Sequence, residues 1–89
     1  MQTAEEIVGP HAPGVMEEAV DDDLIVFNPA TESYFTLNRT AREVWELADG
    51  TRTEAAIVGV IADRYEVGIA DVAQDVGEII SSFRTTSLI

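Results

Sequence analysis

The stretch Ser33-Tyr34-Phe35-Thr36-Leu37-Asn38-Arg39-Thr40-Ala41-Arg42-Glu43-Val44-Trp45 changes its period in the middle. Up to Leu37 the pattern is that of a strand: Phe35 and Leu37 fall on one face, Tyr34 and Thr36 on the other. From Ala41 onward the apolar residues Ala41, Val44, Trp45 and Ala48 recur at helical spacing, and Asp49-Gly50 ends the run. Thr40 and Glu43 stand at capping-box separation, which predicts a helix opening at Thr40, with Asn38 as an alternative cap one turn earlier. A strand therefore leads directly into a helix.

Working back from Ser33, Asn28-Pro29-Ala30-Thr31-Glu32 reads as a turn and Leu24-Ile25-Val26-Phe27 as a strand. So short a link makes the two strands an antiparallel hairpin. Asp21-Asp22-Asp23 reads as another turn, preceded by a first strand over Val15 to Val20. Gly9-Pro10-His11-Ala12-Pro13-Gly14 is rich in residues that interrupt regular structure, so residues 1–14 are expected to form a flexible N-terminal segment. Working forward, Thr51 or Thr53 caps a second helix with an apolar stripe of Ala56, Ile57, Val60, Ile61 and Tyr65. Val67-Gly68 breaks it. A third helix runs from about Ile69 to about Arg84, with Val72, Val76, Ile79, Ile80 and Phe83 on one broad face. Asp71 near its start suits the helix dipole. Gly77 in its middle is costly for a helix and points either to the close approach of another segment or to nothing more than drift. Three strands followed by three helices is an α+β order, and a winged helix-turn-helix-like arrangement accommodates it.

The chain has 89 residues, enough for one domain with little core to spare. It has no cysteine, which excludes disulfides, thiolate metal sites and a cysteine nucleophile, and it fits a reducing cytoplasm. No apolar run approaches the roughly 18–20 residues of a membrane span. Seventeen Asp and Glu face five basic residues, all arginine, for a net charge of -12. Such a surface repels nucleic-acid phosphates and anionic lipid, and attracts cationic partners. No cofactor and no metal are expected. His11 is the one histidine and lies in the Pro/Gly segment, where nothing preorganises it as a general base. Three consecutive Asp lack the alternate spacing of a calcium loop and read as a solvated turn. A DNA-binding winged helix needs exposed basic residues on its recognition helix, yet the second and third helices carry only Arg64 and Arg84. An acyl carrier needs an Asp-Ser-Leu opening a helix; here Ser87-Leu88 follows Thr86 at the C-terminal end.

What remains is an exposed strand edge. Ser33–Leu37 contains no Pro and no charge, so nothing in it blunts pairing with an added strand. With the wide apolar face of the third helix beside it, a groove would offer backbone hydrogen bonds on one wall and apolar pockets on the other. The competing reading is that Tyr34, Ile79 and Phe83 only complete the core.

The ordered series Tyr34-Phe35, Leu37-Asn38, Thr40-Ala41, Val44-Trp45, Leu47, Asp49-Gly50 and Thr53 resembles the PqqD family. So does its continuation through Ile57, Ile61, Tyr65, Val72, Asp75-Val76, Ile79-Ile80 and Phe83. The resemblance runs from about Val15 to the C-terminus. It implies a leader-binding domain over residues 15–89, of the kind called a RiPP recognition element, that takes up a precursor's leader as an antiparallel strand. Carried over to this chain, backbone pairing falls on Ser33, Tyr34, Phe35, Thr36 and Leu37. Apolar pockets involve Tyr34, Phe35, Val72, Val76 and Ile79, and which of these face the groove is left open. Asp71, Asp75 and Glu32 are candidates to meet basic leader residues.

Within that family the chain looks most like the stand-alone recognition proteins of lasso-peptide pathways. The partners then implied are a precursor peptide, a separate leader peptidase of the cysteine-protease type, and a cyclase. The alternative is a PqqD-type chaperone that presents its precursor to a radical SAM enzyme. Such proteins usually carry a Leu-Leu-x-Pro-Glu type hairpin, where this chain has Ile25 to Glu32.

Overall fold

The computed structural model describes residues 6–89. The elements are β1 (Ile7–Val8), β2 (Met16–Val20), β3 (Asp23–Asn28), β4 (Ser33–Leu37), α1 (Arg39–Leu47), β5 (Arg52–Thr53), α2 (Glu54–Tyr65) and α3 (Ile69–Thr85). β2, β3 and β4 form an antiparallel meander, and β1 pairs with β5 in a separate two-stranded ladder. The architecture is therefore the expected α+β order of a three-stranded antiparallel sheet followed by three helices. No helix among the described residues is long and apolar enough to cross a membrane.

Alternation in β3 fixes which face of the sheet is inward. Leu24, Val26 and Asn28 are buried, while Ile25 and Phe27 are only half-buried on the other side. Val26 pairs with Phe35 and Leu24 with Leu37, so Phe35 and Leu37 share the inner face. Phe27 pairs with Tyr34 on the outer face. The inner face packs on helices that supply Val44, Trp45, Ile57, Ile61, Val76, Ile80 and Phe83 to one core.

Two helix details differ from the sequence reading. Asn38, not Thr40, caps α1: its Oδ1 accepts the Ala41 N–H at 2.9 Å. The capping-box match fails because Thr40 is already inside the helix, and Glu43 turns to Arg39, Arg64 and Tyr65 instead. On α2 the inward positions are Ile57, Val58, Ile61 and Ala62, whereas Ala56 and Tyr65 are exposed. The choice between Thr51 and Thr53 falls to Thr53, which accepts the Ala56 N–H at 3.1 Å.

Residues 7–14, expected to form part of a flexible segment, make specific contacts. Val8 is fully buried and its carbonyl accepts the Gly50 N–H at 2.9 Å. The His11 ring stacks on Trp45 at a centroid distance of 3.5 Å, and its Nε2–H donates to the Trp45 carbonyl at 2.8 Å. Ala12 N–H donates to the Leu88 carbonyl at 2.7 Å, tying this segment to the C-terminal end. The part of the expected flexible segment that falls on residues 1–5 lies outside the described residues.

Candidate functional site

A three-stranded meander has two edges, and here they differ in chemistry. The β2 edge carries Glu17 and Glu18, which oppose the addition of another strand. The β4 edge, Ser33–Leu37, carries no charge and no proline and pairs only with β3 among the described residues. Its outward backbone groups are available to a further strand.

Beside that edge lies a groove whose other wall is α3. One cleft of about 400 Å³ is bordered by Tyr34 to Leu37 from β4, Ala41 from α1, and Ile79, Ser82 and Phe83 from α3. It continues into a cleft of about 470 Å³ between Thr36, Asn38, Thr40 and Ala41 on one side and Asp75, Glu78, Ile79 and Ser82 on the other. A smaller hollow of about 180 Å³ follows, lined by Thr40, Tyr65, Asp71, Val72 and Asp75 over buried Val76. Residue numbers fall along α3 through the three, while the opposite wall passes from β4 in the first, through Thr36 and Asn38 in the second, to Thr40 of α1 in the third. The strand and the helix therefore run in opposite directions along the groove.

Ile79 and Ala41 hold this space open. Both lie on helix faces that carry core residues, yet both remain only half-buried. From β4, Phe35 and Leu37 line the same cleft from the inner face, and Thr36 is exposed.

The residues singled out from the sequence are distributed unevenly. Thr36, Ile79 and Asp75 border the central cleft, and Asp71 and Val72 the smaller hollow. Phe35 and Leu37 border the groove from the inner face, Leu37 as a core residue. Val76 is wholly buried and belongs to the core beneath the hollow. The Tyr34 ring lies on the outer face, 4.6 Å from that of Phe27, and the residue is 72% exposed. Ser33 begins the strand opposite Asn28. Glu32 sits in the hairpin turn at φ 56° and is not among the residues bordering the clefts. Thr40, Ala41, Glu78 and Ser82 were not singled out. The signal for the last two was available: Glu78 and Ser82 are neighbours of Asp75 and Ile79 at the i+3 spacing of one helix face.

The outer face of the sheet is a second apolar surface. Met16, Ile25, Phe27 and Tyr34 meet there around a cleft of about 320 Å³, rimmed by Glu17 and Glu18. Its principal exposed groups are Tyr34 and Met16, the latter 56% exposed.

The arginines all have acidic partners: Arg42 with Glu46, Arg52 with Asp49 and Arg84 with Glu6 away from the groove, and Arg39 and Arg64 with Glu43, beside Tyr65 at the rim of the smaller hollow. Asp71 and Asp75 have no ion pair among the described residues, and Glu78 meets only Gln74. The Tyr65 hydroxyl donates to Glu43 Oε2 at 2.6 Å, and that bond raises its pKa. The Thr51 side chain does the opposite for Asp49, donating to its carboxylate and lowering its pKa.

The site is an open, uncharged strand edge beside a helix-walled groove, the geometry on which strand addition operates. The family model for Coenzyme PQQ synthesis protein D (PqqD) matches residues 23–89, and the chain belongs to that family. Among solved structures, TbiB1 in complex with the TbiA(beta) leader peptide superposes with a TM-score of 0.77 at 22% identity, over 88% of this chain and 91% of that one. The likeness shows a shared fold. No curated protein matches the sequence.

Proposed function

We propose that this chain binds the leader region of a ribosomally made precursor peptide and presents it to a separate leader peptidase in a lasso-type pathway. The observation that carries this reading is the free β4 edge facing the groove under α3. An incoming strand would pair with Ser33–Leu37 and place alternate side chains into the groove, against Ile79, Phe35 and Val72. Membership of the PqqD family and the likeness to a protein captured with a leader peptide support it. The contribution is affinity and placement, not bond-making. A tethered precursor reaches the peptidase, and then a cyclase, at raised effective concentration. The apolar outer face around Tyr34, Phe27 and Met16 is a second surface that a processing enzyme would cover without blocking the groove. The reading makes the protein a cytoplasmic one that needs neither metal nor cofactor.

The test is backbone hydrogen exchange with and without a synthetic leader of the precursor encoded in the same gene cluster. Amides of Ser33–Leu37 are expected to slow on saturation, because strand addition removes them from water. Saturable binding with no slowing there would argue against strand addition. A second reading is favoured by the family itself: a PqqD-type protein would present its peptide to a radical SAM enzyme. The two separate by co-purification, since the chain should retain either the cluster's cysteine peptidase or its radical SAM enzyme.

A further inference from the structure

Resting on the reading of the groove as a peptide site, we infer that it selects peptides by order and charge, taking a basic side chain two residues N-terminal to an apolar one. Direction follows from geometry. Both strand pairs of this sheet are antiparallel, and a strand added to β4 in the same sense runs from the Leu37 end toward the Ser33 end. Because α3 opposes β4, that strand runs along α3 from Asp71 toward Phe83. Its earlier residues meet Asp71 and Asp75, and its later ones meet Ile79.

Spacing follows from the rises of the two elements. Asp75 and Ile79 are separated by four helical residues, about 6 Å along the axis. Two strand residues advance about 6.8 Å, and residues two apart share a face. One side chain of the peptide therefore lies over Asp75 when the next on that face lies over Ile79. The same step backward reaches Asp71, past the end of β4 and beside Thr40, where a second basic residue of a peptide that stays extended would lie.

The sign of the charge is set by what the chain leaves uncompensated. No arginine is among the residues lining the clefts, and all five are already paired with other carboxylates, Arg39 and Arg64 with Glu43 behind Tyr65. Asp71, Asp75 and Glu78 thus meet the peptide without a cationic partner among the described residues. A second copy of this chain is a poor occupant, because its net charge of -12 repels the acidic wall.

The test is selection of random twelve-residue peptides by messenger-RNA display against the full chain, followed by affinity measurement on the enriched peptides. The expected result is enrichment of Lys or Arg two positions before Leu, Ile, Val or Phe. Asp75→Asn should weaken such peptides about threefold, and Asp71→Lys with Asp75→Lys about tenfold or more, as expected for exposed ion pairs. Versions with Gln in place of the basic residues should change by less than twofold. Both aspartates are exposed, so circular dichroism should show the variants folded. Enriched peptides that slow exchange at β4 but carry no basic residue, or carry it after the apolar one, would overturn the inference and leave strand binding intact. Recovery of no peptide that slows exchange at β4 would overturn the peptide-site reading and the inference together.

Discussion

Asn28 is the polar side chain that the core admits among the described residues, 1% exposed at the end of β3. Its Oδ1 accepts the Ala30 N–H at 3.0 Å, and its Nδ2 donates to the Ser87 carbonyl at 3.0 Å. One amide thus shapes the turn before β4 and ties it to the chain's C-terminal end. Asn28→Ala leaves both backbone groups without their partner, and a buried unsatisfied group costs about 1–3 kcal/mol. We expect the variant to lose about 2–3 kcal/mol in urea unfolding, with Asn28→Asp recovering only the Ala30 half of the bonding. An unchanged midpoint would show the bonds to be dispensable. The sequence marked Asn28-Pro29 as a turn on local grounds, and that was legible. The second bond was not, since its partner is 59 positions away. The same limit hid the role of His11. A histidine between prolines has no local reason to be ordered, and its order comes from the Trp45 ring and carbonyl, 34 positions on.

At the scale of elements, period and polarity were enough for the strands and helices that build the groove. β4 spans the predicted Ser33–Leu37, and α3 begins at the predicted Ile69. What period could not supply was which apolar residues the fold would leave partly uncovered. Ile79 fits the stripe of α3 as well as Ile80 does, and only the position of the β4 edge leaves it half-buried in the groove. The ladder of β1 with β5 was also invisible, because two residues carry no period. The cap of α1 offers a direct check on its correction. Asn38→Ala should cost about 1 kcal/mol of stability, while Thr40→Ala, which accepts no capping bond, should cost little. A thermal melt of both distinguishes them, and the reverse order would restore the capping box. Gly77 was read as a point of close approach or as drift. The atom nearest an added methyl is Glu54 Oε2 at 3.2 Å, the mobile end of a side chain and not a packed backbone. Glu54 is able to swing aside, so Gly77→Ala should stabilise α3 by about 0.5–1 kcal/mol. That corresponds to a rise in melting temperature of about 2–8 °C for a domain of this size.

At the scale of the molecule, the segment before β2 acts as a strap. β1 pairs with Arg52–Thr53 between α1 and α2, and Val8 fills the core at full burial. Gly9 then passes so close to the Ala48 carbonyl that no side chain would fit there. His11 covers Trp45, whose opposite contact is the edge of Phe83 on α3. The strap thus reaches every helix, directly or through one residue, and α3 is the wall of the proposed groove. Net charge works against this compactness: five arginines offset only part of the seventeen carboxylates, and the remaining charge of -12 on 89 residues is self-repelling. Removing residues 1–14 withdraws the Val8 side chain, whose burial stabilises by about 1.5–3 kcal/mol, and uncovers Trp45. We therefore expect the truncated chain to melt at least about 6 °C lower than the full one. Trp45 provides a local readout, because its emission should shift to longer wavelength when His11 no longer covers it. An independent tail would leave both the melting temperature and the Trp45 spectrum unchanged. If the strap is integral, leader affinity should fall along with stability, since loosening α1 against α3 widens the space that Ala41 and Ile79 define.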